Sequence, residues 1–153
     1  MTLIRKGNGY MGSKDTKALE SELVSQRNLE GFLKANENEL CTKSVSEFLN
    51  EMLIRYNTEK NEVIRRAEMA GTYGYQIFDG SKKAGRDKLL QLAFGFPLTK
   101  DETDYVLRCA GYAALYVRNS RDALLIYALY KQYDIRKTNE LLYEQGEKLF
   151  NNC

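Results

Sequence analysis

Apolar residues recur at helical spacing along most of this chain, and that periodicity constrains the fold more than any other feature. The clearest case is SVSEFLNEMLIRY, residues 44–56, where apolar side chains fall at i, i+3, i+4, i+7, i+8 and i+11: Val45, Phe48, Leu49, Met52, Leu53 and Tyr56. This spacing places them on one face of a helix for about three turns. No segment alternates between apolar and polar residues for long enough to predict a strand. We therefore predict an all-α fold.

Several helix boundaries are also marked in the sequence. Ser44 with Glu47, and Thr99 with Glu102, form two potential capping boxes, in which each side chain bonds a backbone N–H of the other residue. Gly80 stands where a glycine in the left-handed conformation would close a helix. The chain of 153 residues has a single proline, so long helices can run unbroken.

The remaining segments predict a helical arm before residues 44–56 and more helices after them. SKDTKALESELVSQRNLEGFLKANENEL predicts an arm that is broken near Asn28. Two short helices, EVIRRA and YGYQIF, are joined by the turn MAGT, and GRDKLLQLAFGF predicts a helix with one buried face. The predicted organisation is a flexible tail (residues 1–15), a helical arm (16–43), a central domain (44–97) and a helical extension packed on that domain (98–153).

The basic residues of the chain are concentrated near its middle. The net charge is only +2, from 23 basic and 21 acidic residues, which is low for a nucleic-acid-binding protein. Between Arg55 and Lys88, however, eight basic residues stand against five acidic ones, and from Leu89 onward the charges balance. The basic surplus therefore lies on the two short helices and their flanks.

Composition disfavours several classes of function. The chain has no histidine and its three cysteines are far apart, so neither a zinc site nor a Ser-His or Cys-His catalytic arrangement is expected. We expect no enzyme activity, no catalytic residues, no metal and no cofactor. No apolar run approaches the length of a membrane span, and the basic N-terminus lacks the apolar core of a secretory signal. We therefore expect a cytoplasmic protein with no membrane partner.

The two short helices meet the requirements of a helix-turn-helix motif. Such a motif needs a small residue in its first helix and an apolar residue on each side of a sharp turn. Ala67, Met69 and Ile77 stand at these positions. Residues 44–96 resemble the Cro and lambda-repressor-like family, with KNEVIRRAEM as positioning helix, GTYGYQIFDG as recognition helix and SKKAGRDKLLQLAFGF after it. The chain looks most like a bacterial group with a helical C-terminal extension, which AGYAALYVRNSRDALLIYAL and NELLYEQGE also resemble.

The resemblance implies double-stranded DNA as the partner and transcription regulation as the function. The recognition helix, about residues 71–78, would enter the major groove with Thr72, Tyr75 and Gln76 toward the bases. Gln76 is expected to bond an adenine edge, and Thr72 a thymine methyl group or a phosphate. Phosphate contacts are expected from four basic residues: Lys60, Lys82, Lys83 and Arg86. The resemblance also implies a homodimer, because family dimers bind two half-sites.

A second function stays open at this stage. Ala70 and Gly71 stand where the family often has a polar N-cap and a long polar side chain, and Gly74 stands where it usually packs an apolar residue. Together with the low net charge, these departures favour an adaptor that uses the same scaffold to bind a protein partner and does not bind DNA.

Two further clusters each allow two interpretations. Arg65 and Arg66 suit phosphate contacts, but with the neighbouring glutamates they also suit a solvated helix face. YVRNSRDALL resembles a ligand loop, but the simpler interpretation is that Asn119 caps a helix whose first turn carries Asp122 near its positive end.

Overall fold

The computed structural model describes residues 15–37, 40 and 42–151, and within these residues all regular structure is α-helical. The prediction of an all-α fold is confirmed. The described residues form two compact units, one that ends at residue 42 and one that begins at residue 43. Of the predicted flexible tail, residues 1–14 lie outside the described part of the chain. None of the helices in the described residues is long and apolar enough to cross a membrane.

The first unit contains two short helices that pack against each other, α1 (Thr16–Ser25) and α2 (Leu29–Ala35). The predicted break near Asn28 is confirmed, because the Asn28 side chain caps α2 by accepting from the backbone N–H of Gly31. Phe32 is buried, and the amide of the buried Asn36 donates to Glu22 at 2.8 Å. The predicted helical arm is therefore broken where Asn28 caps α2.

The second unit begins with α3 (Val45–Arg55), the helix that the periodicity predicts most clearly. Its capping box is confirmed, since Ser44 accepts from the N–H of Glu47 and Glu47 accepts from the N–H of Ser44. Phe48, Leu49 and Met52 are buried along the predicted face. The capping groups therefore set where the helix begins, and the apolar stripe sets which side is turned inward.

Next come α4 (Lys60–Arg66) and α5 (Gly71–Asp79), joined by a short turn, residues 67–70. The chain passes through the turn with Glu68 in the left-handed region, at φ 55°. Gly74 lets α5 approach α4 closely, because a β-carbon at this residue would lie 2.7 Å from the Ile64 side chain. The end of α5 is closed by Gly80, at φ 85°, as the sequence predicts.

The centre of the second unit is α6 (Arg86–Gly95), which packs against α4 on one side. The face that the sequence predicts to be buried is buried, and the burial extends further to every residue from 89 to 95. The cause is the C-terminal extension, which covers the other sides with α7 (Lys100–Cys109) and α9 (Ile135–Glu144). Phe150, beyond α9, packs its ring 6.1 Å from that of Phe94.

The extension thus lies in the same compact unit as α3–α6. Its first helix, α7, starts at the second predicted capping box, Thr99 with Glu102. After residues 110–119 comes α8 (Ser120–Lys131), which packs on both α7 and α9. Asn119 caps α8 by accepting from the N–H of Asp122, which confirms the simpler interpretation of YVRNSRDALL.

Candidate nucleic-acid interface

One face of α5 has polar side chains that are accessible to solvent. Thr72 and Tyr75 are exposed, Tyr75 at 44%, and Gln76 is partly exposed. They stand at i, i+3 and i+4, so they share one side of the helix. The opposite side is anchored in the core through Ile77 and Phe78, which are buried. The three residues that the sequence places toward DNA bases are therefore together on an accessible face.

The N-terminus of α5 is open. Ala70 precedes the helix in an extended conformation and provides no side-chain cap. Apart from its chain neighbours and the backbone of α5 itself, no atom lies within 4 Å of the point that a β-carbon on Gly71 would occupy. The first N–H groups of a helix have no partner within the helix, and here the residue before the helix supplies no side-chain acceptor. The missing cap therefore leaves backbone donors available to a negatively charged group.

The loop from Ser81 to Gly85, called the basic loop below, follows α5 and carries two exposed lysines. The ammonium nitrogen of Lys82 lies 5.4 Å from the ring centroid of Tyr73, and that of Lys83 lies 5.9 Å from the ring centroid of Tyr112. Such cation–π contacts restrict where a flexible lysine points while its charge stays in water. The two ammonium groups thus lie over one ring of α5 and one ring of the C-terminal extension.

The first residue of the basic loop is hydrogen-bonded to the last residue of α5. Asp79 Oδ1 accepts from the backbone N–H of Ser81 at 2.8 Å. The Ser81 hydroxyl and then this N–H lower the pKa of Asp79, and the positive charge of Lys60 lowers it further. Lys60 is the first residue of α4 and is partly exposed. Asp79 thus joins the end of α5 to the first residue of the basic loop.

The structure places Arg86 differently from the sequence expectation of a phosphate contact. Its Nη1 and Nη2 donate to Asp122 Oδ1 and Oδ2 at 3.2 and 3.0 Å. Its Nε donates to the carbonyl of Ala113 at 3.2 Å, and Nη2 also reaches the carbonyl of Ala114 at 3.4 Å. The guanidinium donors of Arg86 are therefore used inside the protein, where they join the end of the basic loop to the C-terminal extension.

The arginine pair in α4 divides into two environments. Arg65 is exposed and pairs with Glu62, whose pKa is lowered first by its hydrogen bond to Arg65. This contact favours the solvated-face interpretation for Arg65. Arg66 also pairs with Glu62, at 3.1 Å, but its Nε donates to the carbonyl of Gly95 at 2.7 Å and its Nη2 to that of Phe96 at 3.3 Å. Arg66 therefore satisfies the C-terminal carbonyls of α6.

Two residues near the basic loop were not recognised from the sequence. The hydroxyl of Tyr112 donates to the carbonyl of Ala84 at 2.8 Å. Asp122 was assigned only to the first turn of α8, yet it also pairs with Arg86. Neither contact has a local sequence signal, because the partners are 28 and 36 positions apart.

Within the described residues, no group of three or more cysteine, aspartate and glutamate side chains is arranged to hold a metal ion. Comparisons of the chain with protein families, with curated proteins and with solved structures found no match.

Proposed function

We propose that this protein is a DNA-binding transcriptional regulator of the Cro and lambda-repressor-like type, with α5 as its recognition helix. The observation that carries the proposal is the position of Thr72, Tyr75 and Gln76 on one accessible face of α5, directly before a loop with two exposed lysines. An α-helix presented in this way fits the major groove of B-DNA, and its flanks meet the phosphates.

Base contacts are assigned to the exposed face of α5. The Gln76 side chain has both a donor and an acceptor, so it can bond N7 and N6 of an adenine together. Thr72 offers a methyl group to thymine and a hydroxyl to a phosphate. These two residues are four positions apart, about 6 Å along the helix axis, which covers about two base-pair steps. Tyr75 lies between them and has a hydroxyl for a further contact.

Phosphate contacts are assigned to Lys60, Lys82 and Lys83. Lys82 and Lys83 are exposed on the loop that follows α5, Lys60 begins α4, and the N-terminus of α5 adds backbone N–H donors. Contacts of this kind fix the position of a protein on DNA without reading sequence. They also release counterions, so the affinity should fall as the salt concentration rises.

The test is a titration of the protein with short DNA duplexes at several salt concentrations. We expect log K to fall linearly with log of the salt concentration, with a slope of about −0.9 per phosphate contact. The double substitution Lys82→Ala and Lys83→Ala should make that slope smaller by about two units. A parent protein with no salt-dependent binding to any duplex would contradict the proposal.

A matched control comes from the extension. Lys131 and Lys137 each lie over a tyrosine ring, as Lys82 and Lys83 do, at 5.6 Å from Tyr127 and 5.1 Å from Tyr133. The double substitution Lys131→Ala and Lys137→Ala removes the same charge from the same kind of contact. It should leave the salt slope unchanged. An equal decrease of the salt slope in both double variants would mean that the lysines act only through the net charge of the protein.

The second candidate function is an adaptor that binds a protein. It is favoured by a groove of about 380 Å³ along α9, lined by Arg136, Asn139, Glu140, Tyr143, Glu144 and Leu149. Tyr143 is 76% exposed there, and exposed tyrosine is common in protein interfaces. Under this function, Tyr143→Ser would abolish self-association or partner binding in light scattering, and no duplex would bind.

A further inference from the structure

The C-terminal extension holds the basic loop from outside. The hydroxyl of Tyr112 donates to the carbonyl of Ala84 at 2.8 Å, and the Tyr112 ring lies under the ammonium group of Lys83, 5.9 Å from its centroid. Ala84 itself is buried. One side chain of the extension therefore contacts both the backbone of the loop and one of its two lysines.

A second connection lies directly after the loop. Arg86 begins α6, and its donors bond the carbonyls of Ala113 and Ala114, next to Tyr112 in the chain. The same guanidinium forms paired hydrogen bonds with Asp122 of α8. Paired bonds of this geometry fix the guanidinium in direction as well as in distance. The end of the basic loop is thus joined to the extension on both sides of Gly85.

The segment that carries Tyr112 is itself fixed by two buried carboxylates. Asp104 Oδ1 accepts from the backbone N–H of Leu115 at 2.9 Å, and Asp122 Oδ2 accepts from that of Tyr116 at 3.0 Å. Both aspartates are buried, and Lys100 pairs with Asp104 at 2.6 Å. Hydrogen bonds to charged acceptors are stronger than neutral ones, so Tyr112 projects from a rigid support.

We propose that Tyr112 is a positioning residue, which orders the basic loop so that Lys82 and Lys83 meet DNA phosphates without rearrangement. The inference rests on the DNA-binding function proposed above. A loop that is ordered before binding loses less conformational freedom on binding, and the affinity is higher for that reason. The extension therefore sets the DNA affinity of a surface that it does not itself form.

A purely structural role for Tyr112 predicts a different pattern. Loss of its hydroxyl would then lower the stability of the fold and leave the DNA affinity of the folded protein unchanged. A positioning role predicts weaker binding while the protein is fully folded. Because Tyr112 makes no phosphate contact in this proposal, its loss should not change the number of counterions released.

The deciding experiment uses Tyr112→Phe in the full chain, which removes the hydroxyl and keeps the ring. DNA titrations well below the unfolding temperature should show binding that is about three- to tenfold weaker at every salt concentration, with the slope against log salt unchanged. Amide hydrogen exchange without DNA should become faster in residues 82–85. Tyr130→Phe, at a tyrosine that is 73% exposed on α8, is the matched control and should behave as the parent does.

A second variant, Arg86→Lys, tests the same support without removing charge. Lysine cannot form the paired bonds that Arg86 makes, so the variant should also bind more weakly with an unchanged slope. Binding by Tyr112→Phe equal to that of the parent, a smaller slope, or unchanged exchange in the basic loop would each overturn the positioning role. Failure of the parent to bind any duplex would overturn the proposed function, and the positioning role with it. Should Tyr112→Phe be unfolded, Arg86→Lys decides by the same criteria.

Discussion

The carbonyl oxygen of Val63 lies 2.5 Å from the point that a β-carbon on Gly95 would occupy. At this point α4 and α6 approach so closely that only a residue without a side chain fits between them. The β-carbon of Ala67 and the side chain of Val63 are each 3.2 Å from the same point. The guanidinium of Arg66 donates to the carbonyl of Gly95 at the same contact, at 2.7 Å. The position of α4, and with it the start of α5, depends on this contact.

The first prediction concerns that contact. Gly95→Ala should lower the free energy of unfolding by about 1–3 kcal/mol, because the added methyl group meets backbone and cannot be accommodated by a side-chain rotation. Urea denaturation followed by circular dichroism measures the change. Gly71→Ala is the matched control, since nothing lies within 4 Å of its β-carbon position, and it should be neutral or stabilising by up to about 1 kcal/mol. Equal stability of the two variants would contradict the close approach.

The second prediction separates base contacts from phosphate contacts. Gln76→Ala removes hydrogen bonds to a base edge, so it should cost about 1–3 kcal/mol on a preferred site and little on random DNA. Lys83→Ala removes a charge near phosphates, so binding should weaken on all duplexes and the salt slope should shrink by about one unit. Titration of both variants on both kinds of duplex tests the contrast. If both variants bind every duplex as the parent does, α5 is not the DNA-contacting helix.

The third prediction concerns Arg86. Arg86→Gln leaves the buried Asp122 without its cation, so it should destabilise the fold by on the order of 2 kcal/mol. The salt slope of DNA binding should stay unchanged, because the arginine is bonded inside the protein. Thermal unfolding and salt-dependent titration measure the two effects. A slope smaller by about one unit would restore the phosphate role expected from the sequence.

The control for this prediction is Arg65→Gln. Arg65 also pairs with a carboxylate, Glu62, but its side chain is 70% exposed. Exposed ion pairs contribute little to stability because water and salt screen them. The variant removes one positive charge, as Arg86→Gln does, yet it should leave the unfolding temperature nearly unchanged. A large loss of stability in both variants would mean that the loss of one positive charge, and not the loss of the contact with Asp122, destabilises the fold.

The fourth prediction concerns the pKa of Asp79. The folded state lowers the pKa of Asp79, chiefly through the Ser81 hydroxyl. The ionised form is therefore stabilised by folding, and this contribution is present above the unfolded pKa and lost as the pH falls through the folded pKa. Ser81→Ala should raise the pKa of Asp79 toward its ordinary value, with part of the shift retained because the backbone N–H remains. NMR titration of the Asp79 carboxyl carbon measures it. An unchanged pKa would show that the hydroxyl is not bonded to Asp79.

The sequence by itself determined the local structure. The two capping boxes, the break at Asn28, the left-handed Gly80 and the cap at Asn119 were all predicted and are all present. Each depends on groups only a few positions apart along the chain, where helical geometry alone brings them together. The exposed face of α5 follows from the same periodicity. Its use as a DNA-contacting surface stays a prediction.

Only the tertiary structure decided the contacts between distant segments. Nothing local to Arg86 indicates that it bonds Asp122, 36 positions later, and nothing local to Tyr112 points to the Ala84 carbonyl. The burial of α6 on every side also has no local signal, because the helices that cover it, α7 and α9, come later in the chain. An arginine such as Arg86 looks the same in the sequence whether it contacts a phosphate or a carboxylate. The helices that pack around it determine which partner it meets.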